Sequence, residues 1–270
     1  MLQLLCYNVF KFVLLHLTNE ENTIIMTEKL KNPLIKANEK FYLRIPIKTH
    51  VLSKEDSIVE AVQKYTAAIL QEGDIVFVSE KATAITQGRA IKLVDIKPRF
   101  LATFLSKYVK KVSYGIGLGM PETMEMAFRE AGTLRILLAA VVSAIGKLFG
   151  RSGDFYRIAG RKVAMIDGPT PYTLPPYNQY VVLGPEDPDK IVNNIAKQIN
   201  AVCAIVDVND IGSEVIALSN NSPLTKGEIA GILKDNPLGQ GSQQTPMGII
   251  RLLGVEESFA LSQVSAAKEE

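Results

Sequence analysis

Two unbroken apolar runs constrain this chain most: Ile75-Val76-Phe77-Val78, entered through Gly73-Asp74, and Cys203-Ala204-Ile205-Val206, left at Asp207. A strand that is apolar at every position has no polar face to offer water, so it reads as buried. Further short strands are expected over residues 89–94, 163–166, 180–183, 214–218 and 247–251. Another is expected over 41–49, where Pro46 favours an edge position or a strand end. Between them lie helical periods. Ser53 reads as the cap of a helix with Asp56 in its first turn and Ile58, Val59, Val62, Ala68 and Ile69 along it. Pro98 opens a helix to about residue 109. Pro121 opens another, with Met124, Ala127 and Phe128 on one face and Gly132 as its C-cap. Residues 188–199 and 223–233 complete the set. Residues 134–149 read as a core helix or as a strand followed by a helix. Several linkers are hairpin-short, which favours a mixed α/β or α+β fold over a pure doubly wound sheet.

Length and composition narrow the functional classes. The chain has 270 residues, of which 47% are hydrophobic, enough for a real core. A formal net charge of +2 gives no electrostatic ground for nucleic acid as the main partner. Two cysteines and two histidines fit no zinc motif and no disulfide framework, in keeping with a reducing cytoplasm. Cys203, inside an apolar run, reads as a small buried hydrophobe rather than a nucleophile. Residues 2–17 are mostly apolar but are interrupted by Asn8, Lys11 and His16, and they are shorter than the roughly 20 residues that span a bilayer. Residues 1–25 therefore read as an upstream extension, such as a mis-called start, with a membrane-associating segment as the alternative. Stable membrane insertion is not expected. Residues 259–270 read as a frayed tail.

Four features could carry chemistry. Ser79-Glu80-Lys81 reads as a loop after a buried strand, followed by Gln87-Gly88-Arg89; a lysine there can neutralise phosphate oxygens, or can be an ordinary solvated turn charge. Asp167 stands at the end of an expected strand. Asp207-Val208-Asn209-Asp210 stands at the end of another. Carboxylates at strand ends can converge on a hard cation such as Mg²⁺, and they can equally cap their own turns. Asn236-Pro237-Leu238-Gly239-Gln240-Gly241-Ser242 can wrap phosphate with backbone amides, with the Gln240 carbonyl as a neutral metal ligand, or can be a plain connection. It is not a Walker loop. Gly115-Ile116-Gly117-Leu118-Gly119 is not the dinucleotide fingerprint, because Met120 holds the place of the last glycine.

Taken in order, these segments resemble the coenzyme F420-0:gamma-glutamyl ligase family from about Arg44 to Arg251. Ile45-Pro46-Ile47-Lys48-Thr49, together with Glu72-Gly73-Asp74 through Ser79-Glu80-Lys81, resembles its nucleotide segment. Gln87-Gly88-Arg89 resembles its Glu-Gly-Arg, and Leu183-Gly184-Pro185-Glu186-Asp187-Pro188-Asp189 its Leu-Pro-Glu-Asp-Pro-Asp turn. Ile166-Asp167 and Ile205-Val206-Asp207 resemble its metal-bearing strand ends. Leu238-Gly239-Gln240-Gly241, with Pro246 and Arg251, resembles its closing Met-Gly-Gln-Gly loop.

The resemblance implies one ligase domain over residues 26–258, working as a cytoplasmic homodimer. Pro46, Ile47, Lys48, Glu80, Lys81, Gly239, Gln240, Gly241 and Ser242 would bind GTP. Asp167, Asp207 or Asp210, and Gln240 would hold Mg²⁺ or Mn²⁺, with Lys81 and Asp167 as the catalytic pair. The implied reaction joins a small carboxylate acceptor to L-glutamate. The acceptor carboxylate attacks the γ-phosphate of GTP to give an acyl phosphate, and the glutamate amine then displaces phosphate. Such transfer rests on positioning and charge stabilisation.

The chain also departs from the family pattern. Ile85 stands where the family has lysine, Gln87 where it has glutamate and Thr170 where it has asparagine. Residues 134–160 fit the archetype poorly. A non-catalytic nucleotide-binding relative, or a ligase for another carboxylate, is the rival reading.

Overall fold

The computed structural model describes residues 32–109, 116–170, 173–239 and 243–254. Residues 1–25 and 259–270, Lys110, Lys111, Gln240, Gly241 and Ser242 lie outside them. The chain divides into two compact units: residues 1–83 with 187–270, and residues 84–186.

The first unit is built on a six-stranded mixed sheet. β1 (Leu34–Ala37) and β2 (Lys40–Ile47) form a hairpin through Asn38 and Glu39, both at positive φ. β3 (Ile75–Ser79) is reached through α1 (Ile58–Thr66) and runs into α2 (Glu80–Thr86), within which the chain leaves this unit. After the second unit the chain returns through α8 (Pro188–Ile199), β6 (Val202–Asn209), β7 (Gly212–Leu218), α9 (Lys226–Leu233) and β8 (Met247–Leu252). The strand order is β1-β2-β8-β3-β6-β7. The β3–β6 pair is parallel and the other pairs are antiparallel.

The two apolar runs are the central parallel pair, and their side chains explain the pattern. Val76, Val78, Cys203 and Ile205 pack with Ile58, Val62, Val192 and Ile195 of α1 and α8. Their neighbours in sequence, Ile75, Phe77, Ala204 and Val206, pack with Ile229, Ile232 and Leu233 of α9. Alternate residues of a strand point to opposite faces, so helices on both faces demand apolar residues throughout. Helix α9 starts with a capping box between Thr225 and Glu228.

In the second unit, β4 (Ala90–Lys92) pairs antiparallel with β5 (Tyr180–Val182). Around this ribbon lie α3 (Phe100–Ser106), α4 (Pro121–Ala131), α5 (Thr133–Leu148), α6 (Asp154–Ala159) and α7 (Arg161–Ala164). Met124, Phe128, Ile136, Ala159, Val163 and Val181 belong to its core. The α+β class expected from the sequence is the one observed. Among the described residues no single helix is long and apolar enough to cross a membrane; α4 and α5 pass that test only as a pair, bent by 115°.

Several local expectations are corrected. Helix α1 starts at Ile58, capped by Ser57, because Ser53 is engaged in a separate turn in which its backbone N–H and its hydroxyl both donate to Asp56 Oδ2. The helix stops at Thr66, so Ala68 and Ile69 follow it. Residues 163–166 are not a strand: Gly160 opens a turn of helix, and only Asp167 pairs, in a single bridge with Val182. Thr133–Leu148 form one helix, the first of the two readings of that stretch, but its buried residues are limited to Ile136, Ala139 and Gly146. Ser79-Glu80-Lys81 is not a loop, since α2 begins at Glu80 directly after β3.

Candidate functional site

Sheet register gathers several of the sequence-predicted residues of the first unit at one edge. Ile47 of β2 and Val78 of β3 both stand opposite Met247, and Ser79 stands opposite Val206 of β6. The residues that continue from this row therefore lie at the same end of the central strands. Lys48 after β2, Glu80 and Lys81 after β3 and the loop that feeds Met247 leave the sheet there, whereas Asp207, expected where its strand ends, remains within β6, paired with Glu214. Two backbone bonds tie that loop down: Thr49 N–H donates to Gln244 O at 2.9 Å, and Ser79 N–H donates to Pro246 O at 2.8 Å. Open α/β sheets collect functional groups at such edges, where backbone leaves the sheet without spoiling the core.

The side chains there are of both signs. Pro46 is half-buried, Ile47 buried and Lys48 exposed; Glu80 and Lys81 are half-buried in the first turn of α2; Asp207 is exposed. Gly239 has φ +77, and a Cβ there would approach the Gln243 amide group to 2.8 Å. The positive φ favours glycine, whereas the Gln243 side chain can swing away from a Cβ. The Thr245 hydroxyl donates to Leu238 O at 2.6 Å.

Asp210 sits at the tip of the β6–β7 hairpin. Asn209 closes that turn, its Oδ1 accepting from the N–H groups of Ile211 and Gly212 at 2.9 and 3.1 Å. The turn-capping role that the sequence allowed for this stretch thus falls to Asn209. Asp210 Oδ1 instead accepts from Nδ2 of buried Asn236 at 3.4 Å, while Asn236 Oδ1 is buried without a hydrogen-bond partner. An aspartate with a neutral amide beside it offers side-chain oxygen rather than sulfur or imidazole, but two residues do not make a metal site. Among the described residues no three His, Cys, Asp or Glu side chains cluster as a metal site.

Asp167 belongs to the second unit, half-buried, its backbone N–H donating to Val182 O at 2.8 Å. In the same unit two motif segments are bonded together. The Gln87 side chain donates to Glu186 O and accepts from Glu186 N–H. The Arg89 guanidinium contacts Glu186 Oε1 at 2.8 Å and Glu130 Oε2 at 2.7 Å. Ile85 is buried.

Sequence reasoning missed a polar cluster just beyond Lys48. His50 Nδ1 lies 2.8 Å from the Tyr65 hydroxyl, and Nε2 lies 2.9 Å from Asp56 Oδ1. The hydrogen bond from His50 holds the Asp56 carboxyl below the usual range. The histidine alone, without its partners from α1 and the preceding turn, carried no signal.

A family model described as F420-0:Gamma-glutamyl ligase matches residues 46–209, more than half of the chain. The chain belongs to the F420-0:gamma-glutamyl ligase family, which supports a gamma-glutamyl ligase-type function. The match takes in Lys48, Lys81, Asp167 and Asp207 and stops short of Asp210 and Gly239. No curated protein matches the chain.

Proposed function

We propose that the chain is a GTP- and divalent-metal-dependent ligase that joins L-glutamate to a small carboxylate through an acyl phosphate. The observation that supports it most is the row Ile47, Met247, Val78–Ser79, Val206, which brings Lys48, Glu80–Lys81, Asp207 and the loop before Met247 to one end of the central strands. In this reading Lys48 and Lys81 neutralise phosphate oxygens, and the amides of residues 239–242 hold the phosphates. Asp207 or Asp210, with Gln240, would hold Mg²⁺ or Mn²⁺, which adds positive charge where phosphate charge develops. The metal role of Asp167 rests on the resemblance alone. The acceptor carboxylate oxygen forms a bond to the γ-phosphorus as GDP leaves. The glutamate nitrogen then bonds to the acyl carbon, inorganic phosphate departs and the amine gives up a proton. No nucleophilic side chain is required, which suits the scarcity of His and Cys. A cytoplasmic homodimer with no nucleic-acid partner belongs to the same proposal.

A second reading, a nucleotide-binding relative without ligase activity, is favoured by one observation: Ile85 and Gln87, at the family's lysine and glutamate positions, serve the scaffold instead. Calorimetry with GTP tests what both readings share. Lys81→Ala is expected to weaken GTP binding by about 1.5–3 kcal/mol, as for a charge-assisted hydrogen bond. Equal affinity in variant and parent would remove Lys81 from the site.

A further inference from the structure

We infer that His50, with Tyr65 and Asp56, takes the proton that the glutamate ammonium must lose before its nitrogen can attack, an inference that rests on the ligase reading above. Asp56 sets the ring. Its carboxylate accepts from the Ser53 N–H at 2.8 Å and from the Ser53 hydroxyl at 3.0 Å. An ionised carboxylate only accepts, so the ring hydrogen that faces Asp56 Oδ1, with the heavy atoms 2.9 Å apart, is on Nε2. In the neutral ring Nδ1 is then a bare acceptor, 2.8 Å from the Tyr65 hydroxyl. That hydroxyl already accepts from the His50 backbone N–H at 3.1 Å, which leaves its own proton for Nδ1. A base oriented by a carboxylate on one side and joined to a hydroxyl on the other is an arrangement that moves a proton.

The cluster stands beside the segments assigned to phosphate. Thr49 lies between Lys48 and His50. Its N–H donates to Gln244 O, in the loop that follows Gly239, and its hydroxyl donates to His50 O at 2.7 Å. His50 is exposed while Asp56 and Tyr65 are half-buried, so the ring is open to an incoming amine and its partners are held. Among the described residues His50 is the only histidine, the side chain type that ordinarily changes charge near neutrality. Lys64 Nζ, 5.4 Å from the centre of the Tyr65 ring, is a cation that favours release of the hydroxyl proton. One ammonium proton passes to the Tyr65 oxygen as the Tyr65 proton passes to Nδ1, and Asp56 stabilises the imidazolium. The freed lone pair bonds to the acyl carbon, the carbon–oxygen bond to phosphate breaks, and phosphate carries off a second nitrogen proton. The imidazolium then returns its proton to water.

The test sets L-glutamate against hydroxylamine, which is unprotonated at neutral pH and traps acyl phosphates as hydroxamates without a base. The full chain is assayed with F420-0, GTP and Mn²⁺. His50→Gln should slow glutamyl transfer by about a hundredfold or more. Hydroxamate formation, GTP affinity by calorimetry and melting temperature should stay at the parent's values. Tyr65→Phe should slow glutamyl transfer in the same way, because the relay runs through its oxygen. Alkaline buffer, in which the amine arrives uncharged, should restore most of the His50→Gln rate, a recovery that a merely structural defect would not show. Equal glutamyl transfer in His50→Gln and parent would overturn the inference and leave the ligase reading standing. Equal loss of hydroxamate and glutamyl transfer would also overturn it, since His50 would then serve the scaffold of the nucleotide segment. No hydroxamate from the parent chain would count against the ligase reading itself and overturn the inference built on it.

Discussion

Gln87 and Glu186, 99 residues apart, are locked by a reciprocal pair of hydrogen bonds. The Gln87 amide donates to the Glu186 carbonyl and accepts from the Glu186 N–H, each at 2.9 Å. A glutamate, the family's usual residue here, cannot make both bonds, because an ionised carboxylate only accepts. Gln87→Glu should therefore destabilise the fold by about 1–2 kcal/mol, the net worth of one lost bond plus repulsion between oxygens. Urea unfolding measures it. A Gln87→Glu variant as stable as the parent would show that the pairing contributes nothing.

Arg251 is expected to act on stability. Its guanidinium holds the buried Asp74 carboxylate through two bonds of 2.9 and 2.7 Å and also donates to Ile69 O at 2.7 Å. Removing one partner leaves the other charge buried, so Arg251→Ala should cost about 3–5 kcal/mol. Asp74→Ala/Arg251→Ala should cost less than the sum of the single variants. Strict additivity in denaturant unfolding would contradict the pairing.

The second unit should be sensitive to acid through Glu125. Burial pushes this carboxyl up, but hydrogen bonds from Arg99 and Arg129 together outweigh it and bring it below its ordinary value of 4.5. A carboxylate depressed in the folded state stabilises above its unfolded value, and that stabilisation is lost as pH falls through the folded value. Glu125→Gln should flatten the decline in melting temperature below about pH 4.5. An unchanged acid limb would show that Glu125 is not the group responsible.

Cys203 should be inert while the protein is folded. It is fully buried, and burial pushes its thiol far up, away from the reactive thiolate. In a Cys6→Ser variant, labelling by Ellman's reagent should await unfolding. Rapid labelling of the folded protein would contradict the packing seen between the sheet and α8.

The central strands were legible because burial on both faces leaves a run that alternation cannot explain otherwise. Helix α4 was legible from Pro121 and Gly132, which punctuate it at both ends. Hairpin strand β1 was not: four residues, Leu34–Ala37, carry too little pattern, and Asn38 was the one turn signal. The short helices α6 and α7 were hidden for a related reason. An apolar run such as Val163-Ala164-Met165-Ile166 suits a strand as well as a helix, and only Gly160, at φ +97, starts the turn that decides it. In the candidate site, sequence order named Lys48, Lys81 and Asp207. That they gather at one end of the strands depends on pairings between residues 127 positions apart (Ser79 with Val206) to 200 positions apart (Ile47 with Met247), which no local pattern encodes. Gln87 read only as a departure from the family pattern until its partner, Glu186, was in view.

The most direct measurement is glutamyl transfer itself. The purified full chain would be incubated with GTP, L-glutamate, Mg²⁺ or Mn²⁺, and F420-0 or other small carboxylates, with product followed by mass and phosphate by release. The expected result is an acceptor heavier by one glutamyl group, with one phosphate released per amide and none without glutamate. GTP bound with ordinary affinity, but no glutamyl transfer to any of these acceptors, would contradict the ligase assignment and leave the nucleotide-binding reading in its place.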